Sequence, residues 1–371
     1  MNTKFVTQIG VTALVAGLGA PAFAGPTYEN ASGGTFRFYG QFNPAYQSFD
    51  DGVESYDALV DSASSNSRIG FWLVQPFGEN TLRFNFETAL GLRSSDGVDQ
   101  NGRPQNISWD RTRIRKIDLQ YETARYGTFS FGQGAMASDG LAEEDLSGTG
   151  VVQTSSVADA AGGFRFRTSA GVLSNVTIGD AFASLDGGRL GRIRYDSPEV
   201  SGFTISASYG EDILSDNSDR EAYDIAVRYG NDDLGDFAVR GALGVVWNEN
   251  GPGTKTRDVV ASFAVLHEPT GLSFAAAAGD RDTGGDYGYV KLGYSANLVP
   301  VGATSVAVDY YDGSDMVSAG DSSDSWGITA VQNFDQQNVE AYISYRDYSY
   351  ADTTTTYLDG SSIFAGARWK F

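Results

Sequence analysis

From Thr35 onward the chain alternates apolar and polar residues with a period of two, the signature of half-buried strands. In "TFRFYGQFN", Phe36, Phe38 and Phe42 share one face, while Arg37, Tyr39, Gln41 and Asn43 share the other. "TLRFNFETALGLR" extends the pattern: Leu82, Phe84, Phe86, Leu90 and Leu92 oppose Arg83, Asn85, Glu87 and Arg93. It returns in "SGFTISASYG", "YDIAVRYG", "FAVRGALGVVW", "TSVAVDYYDG", "NVEAYISYRDY" and "SSIFAGARWKF".

The connections alternate as well. Tight ones such as "PFGEN", "ARYG", "EPTG" and "NFDQQN" take turns with long acidic ones such as "SFDDGVESYDALVDSASS", "RSSDGVDQNGRPQN" and "DGSDMVSAGDSSDS". Short turns at one end and long loops at the other describe an all-β, antiparallel up-and-down meander. It counts to about sixteen strands of roughly 9 to 12 residues, long enough to cross a bilayer at a tilt. Backbone in lipid must be fully paired, so such a sheet closes into a transmembrane β-barrel. "IFAGARWKF" then reads as the closing strand, with Ile363, Ala365, Ala367, Trp369 and Phe371 facing outward.

Composition sharpens this picture. Tyr (20), Phe (22) and Trp (5) suit the aromatic girdles of a barrel better than the core of a soluble sandwich. Lys4, the apolar run Ile9–Ala20 and Ala22-Phe23-Ala24 form a secretory signal over 1–24, with cleavage expected after Ala24 and the barrel over 25–371. The formal net charge of -21 excludes a basic nucleic-acid footprint. There is no cysteine, which excludes thiol chemistry.

Four stretches carry a family likeness: "FRFYGQF", "SRIGFWLVQPFGENTLRFNFET", "ARYGTFSFGQGAMASDG" and "GRIRYDSPEVSGFTISASYG". Their order and spacing resemble the general-diffusion porins of Gram-negative outer membranes. The resemblance implies a water-filled, sixteen-stranded channel in the outer membrane that passes small hydrophilic solutes and ions. It implies a homotrimer, and it makes Phe371 the aromatic read by the barrel-assembly machinery. Gln41 departs from the family, which often has Arg there.

In that family the third loop folds into the lumen and narrows it. Here the longest connection runs from Ala135 to Gly188, and Asp139, Glu143, Glu144 and Asp145 fall within it. These four are the expected acidic side of a constriction. The basic side follows from parity: Arg37, Arg68 and Arg83 on the first three strands, Arg192 and Arg194 on the sixth. Arginine suits the role because it stays charged and its fork is easily braced. In "RTRIRK" the parity conflicts. If Ile117, Leu119 and Tyr121 face lipid, Lys116 points inward and Arg113 and Arg115 outward; either those two lie above the hydrocarbon, or a bulge resets the register.

Rival readings remain open at this stage. A substrate-specific channel with a lumenal site needs an aromatic track, for which Tyr39, Trp72 and Tyr342 have the right parity. A soluble secreted β protein leaves the terminal aromatic unexplained. No enzyme is expected: the single histidine, His267, lies in a predicted short turn away from the outer rim. No cofactor is expected beyond weak Ca²⁺ association with acidic loops, since hard cations take oxygen ligands.

Overall fold

The computed structural model describes residues 27–216, 218–251 and 253–371. The expected signal segment and its cleavage point at Ala24 lie outside the described residues.

Sixteen antiparallel strands form one closed barrel. β1 (Thr35–Phe42, resuming as Pro44–Asp50) and β2 (Ser55–Asp61, resuming as Arg68–Phe77) are each broken once. β3 (Asn80–Ala89), β4 (Ile114–Thr123), β5 (Gly127–Ala135), β6 (Arg189–Asp196) and β7 (Phe203–Glu211) follow. β8 (Arg220–Leu234), β9 (Phe237–Asn250), β10 (Lys255–His267), β11 (Leu272–Arg281) and β12 (Asp286–Val299) continue the wall. β13 (Gly302–Ser314), β14 (Ser322–Phe334), β15 (Val339–Ala351) and β16 (Gly360–Lys370) complete it. Each strand pairs with its sequence neighbours, and β16 pairs with β1 through Ser361–Gly366 against Asp50–Ala45 and through Lys370 against Gln41.

Closure is tightest at Phe371. Its backbone exchanges two hydrogen bonds with Gly40, N to O at 3.0 Å and O from N at 2.9 Å. Its ring lies over Gly40, where a Cβ would come 2.6 Å from the ring edge, so only glycine fits. Phe38 stacks beside it at 6.0 Å and Trp369 at 5.1 Å. The outward parity expected for the last strand is what the structure has, with Ile363 and Trp369 exposed on the outer face.

The breaks in β1 and β2 are filled by a buried polar knot. Asn43 donates its amide nitrogen to Ser67 Oγ and its side chain to the Ser65 carbonyl, both at 2.8 Å. The Ser67 backbone N–H in turn donates to the Asp61 carboxylate. Such a knot is tolerated because every member finds a partner.

Two departures from the sequence reading concern the rim. Residues 48–65 were expected as one long loop; in fact Pro44–Asp50 and Ser55–Asp61 pair as a hairpin with its turn at 51–54. The acids Asp50 and Asp57 occupy alternate, exposed positions there and hide the strand period. β3 stops at Ala89, so Leu90 and Leu92 belong to the following loop and not to the apolar face.

The outer face is apolar, with Leu59, Leu73, Ile117, Leu119, Ile193 and Leu292 among its exposed side chains. The core lies inside the barrel. Phe164, Phe166 and Phe182 of segment 136–188 pack against Phe49, Tyr311, Tyr348 and Tyr350 of the wall. Each fully buried aromatic of this kind contributes about 1.5–3 kcal/mol.

Candidate functional site

Segment 136–188 leaves β5, crosses the lumen and is bonded along its length to inward-facing wall residues. Ser138 donates through N and Oγ to Asp224 on β8. The Ser262 hydroxyl donates to the Leu141 carbonyl, Tyr348 to that of Val157 at 3.0 Å, and Tyr311 to that of Ala183 at 2.9 Å. Lys291, almost wholly buried, donates to the Gln153 carbonyl at 2.6 Å and pairs with Asp145 at 3.1 Å.

This path sorts the four expected loop acids. Asp139 pairs with Arg189 at 3.2 Å, and Glu143 is exposed to the lumen with Ser156 donating to it at 3.1 Å. Glu144 lies in the field of Arg228 and Arg240. Asp145 faces the wall behind the segment and is neutralised by Lys291, so it does not join the other three. A further acid comes from the far end of the segment: Asp186 accepts from the backbone amides of Gly140 at 2.7 Å and Ala142 at 3.0 Å.

Crowding shows in the protonation of these acids. Burial, then Glu143 and Asp139, push Asp186 up to about 8. Burial, then Glu143 and Asp96, push Asp159 up to about 7. The protein crowded around its base, and then the Asp139 carboxylate, raise Glu143 as well, although its side chain reaches the lumen.

The basic wall differs from the parity reading in its membership. Arg68 lies 3.6 Å from Glu87, and Arg115 donates to the same carboxylate at 2.7 Å. Tyr39 donates to Glu87 at 2.9 Å, completing a buried hub. Arg115 reaches it through a bulge: Glu87 pairs with Lys116 and Thr88 with Ile114, which leaves Arg115 extra. Of the two alternatives left open for Arg115, the structure has the bulge, and its side chain turns to Glu87. Arg113 sits in the turn before β4, donating to the Ser108 carbonyl at 3.3 Å. Arg368 and Lys370 on β16 share Glu340 at 2.6 and 3.0 Å, and Arg368 also donates to Ser65.

Three arginines do not join this group. Arg37 and Arg83 have the inward parity but lie four residues toward the short-turn end from Gln41 and Glu87, about 13 Å at normal strand rise. Arg83 is paired with Glu122 at 2.6 Å. Arg192 is buried in a two-bonded pair with Asp118 and also donates to the Ala135 and Gly132 carbonyls, so it braces the wall. Arg194 is an intermediate case, paired with Asp196 and donating to the Met136 carbonyl at 2.7 Å at the segment's root. Sequence parity missed Arg189, Arg228 and Arg368. The only signal for Arg368 was its alternation with Trp369.

Two of the three aromatics with the parity for a lumenal track are tied into the wall. Tyr39 is held by Glu87, and Tyr342 donates to Asn43 at 2.9 Å and stacks on Phe364. His267 shares a hydrogen bond with Thr270 at 2.8 Å and lies against Phe237 in a short turn. Among the described residues no group of three or more His, Asp or Glu side chains is placed to hold a metal ion.

Comparison with known proteins agrees with this architecture. The profile of the Gram-negative porin family matches residues 10–353. Among solved structures, the anion-selective porin from Comamonas acidovorans is 17% identical with a TM-score of 0.61, covering 91% of this chain and 100% of its own. OprB of Pseudomonas putida has a TM-score of 0.63 at 8% identity, covering 91% and 94%. OmpT of Vibrio cholerae has a TM-score of 0.58 at 16% identity, covering 93% and 100%. No curated protein matches the sequence.

Proposed function

This chain belongs to the Gram-negative porin family, and from that premise we propose how its channel selects. The protein is an outer-membrane porin whose water-filled barrel lets small hydrophilic solutes and ions diffuse. Its constriction is the gap between the acids of segment 136–188, chiefly Asp139, Glu143 and Glu144, joined by Asp186 as it ionises, and a cationic wall of Arg68, Arg115, Lys116, Arg189 and Arg368. Opposed fixed charges across a narrow gap make a transverse field that orients dipolar solutes and disfavours apolar ones. The observation that carries this reading is Glu87, which holds two guanidiniums at the wall while remaining a single negative charge.

The sum of lumenal charge leans toward cations because the loop acids lie beside an acidic outer mouth; the whole chain carries -21. The channel works without a covalent step or a cofactor, and calcium meets only its outer loops. Three copies assemble through the outward aromatics near β1 and β16, and the assembly machinery engages Phe371. Reversal potential across a planar bilayer under a tenfold KCl gradient tests the selectivity. A cation-selective potential supports the reading, and an anion-selective one transfers control to the arginine wall.

A further inference from the structure

A cavity of about 220 Å³ opens above the root of segment 136–188, against the inward faces of β8 to β11. It is larger than a ~150 Å³ cavity known to hold benzene, so it has room for a solute of monosaccharide size. Its floor is apolar, made by Met136, Leu190 and Ala222. None of Arg68, Arg115, Arg189 or Arg368 lines it, so it lies apart from the cationic wall, and it shares Asp186 with the acidic side of the constriction.

Most charges around this space are already spent. Asp258 and Arg281 form a two-bonded pair at 2.7 and 2.9 Å. Asp186, on the opposite lip, is bonded to the amides of Gly140 and Ala142. Arg220 is different: it occupies the first, inward-facing position of β8, and its guanidinium has no carboxylate partner among the described residues. Its ladder partner is Asn250, and the next inward pair in the adjoining ladder is Asn248 with Thr256. One free planar cation beside Asn250, Thr256 and Asn248, whose amide also donates to Asp258 at 3.3 Å, matches one carboxylate on a hydroxylated body.

We propose that this niche binds a monoanionic polyhydroxy acid of sugar size, its carboxylate on Arg220 and its hydroxyls on Asn248, Asn250 and Thr256. A neutral sugar leaves Arg220 unanswered. A dianion finds only one free guanidinium for its two charges. Arginine is required for a forked contact, and lysine supplies only a point charge. The niche lies at the long-loop end, so a solute entering from that side is concentrated before the constriction. Access rests on the channel reading above; binding does not need current to flow.

The test is calorimetric titration of galacturonate into the full chain folded in detergent at pH 7, with galactose as the uncharged control. Saturable binding near a dissociation constant of about 1 mM is expected, with no binding of galactose. Arg220→Gln should weaken it by about tenfold or more, and Arg220→Lys should recover part of the loss. Heat-modifiable migration on gels establishes that each variant is folded. Equal binding by wild type and Arg220→Gln, equal binding of galactose, or no binding by the folded wild type would each overturn the proposal. Conductance of the same preparation separates the two readings. Current without binding removes the niche alone, and binding without current removes the channel reading alone.

Discussion

Arg189 and Asp139 bring the cationic wall and the acidic segment within 3.2 Å of each other. The two charged sides therefore touch at this pair. Glu143, four positions on, faces the lumen with Ser156 as its hydrogen-bond donor and without an ion-pair partner among the described residues.

Among the described residues Glu87 is the one carboxylate paired with both Arg68 and Arg115. Glu87→Gln should move selectivity toward anions, because it removes one negative charge from the gap. A unit charge at ~7 Å in water is worth about 0.6 kcal/mol, with opposite signs for cations and anions, which is roughly a sevenfold change in the cation-to-anion permeability ratio. Reversal potentials of the two proteins measure it, and an unchanged ratio would place Glu87 outside the conducting path.

Lys291 pins the segment from behind through Asp145 and the Gln153 carbonyl. Lys291→Met leaves a carboxylate unpaired against the wall, a loss of about 3–5 kcal/mol when one partner of a buried pair is removed. The expected result is a noisier open channel and faster proteolysis within 136–188. A quiet trace identical to wild type would mean that the aromatic packing alone holds the segment.

Protonation of the segment gives a pH dependence whose sign follows from the raised values. Asp159 near 7 and Asp186 near 8 both exceed an ordinary carboxyl near ~4, so the folded segment favours their neutral forms. Their contribution to stability is present at low pH and lost as pH rises through 7 and 8. Over the same range the lumen gains negative charge. Cation preference should thus increase from pH 6 to pH 9, and Asp186→Asn should flatten the upper part of that rise.

Gly40 admits the Phe371 ring. Gly40→Val should obstruct closure, since overpacking of this kind costs about 1–3 kcal/mol and here strikes the seam of the barrel. A lower temperature for loss of the folded band on semi-native gels is expected. Phe371→Ala in the Gly40→Val background should restore part of it by removing the opposing ring.

Much of the wall was legible because membrane strands repeat their pattern every second residue. Phe36 and Ile363 declared an outer face and Gln41 and Asn43 an inner one without reference to any partner. Reading failed where a single residue breaks parity or where the decisive neighbour is remote in sequence. One extra residue at Arg115 reverses its direction, and nothing local distinguishes that from a charge above the lipid. Arg192 looked like a pore lining until Asp118, two strands away around the barrel, was found to bury it. Asp145 carries the same charge as Glu143 two positions earlier, and only the path of the segment past Lys291 separates their roles. Alternation reports which face a side chain is on, and it carries no information about how far along the channel axis its counter-charge lies.

Segment 136–188 begins between β5 and β6 and is fastened by Lys291, Tyr311, Ser323 and Tyr348 to β12–β15, half-way round a sixteen-membered ring. A hoop joined only along its rim goes oval under sideways pressure with little resistance. This one has a tie-bar across its diameter. The same residues that narrow the opening therefore keep it round, and the width of the hole is held against squeezing by the surrounding bilayer.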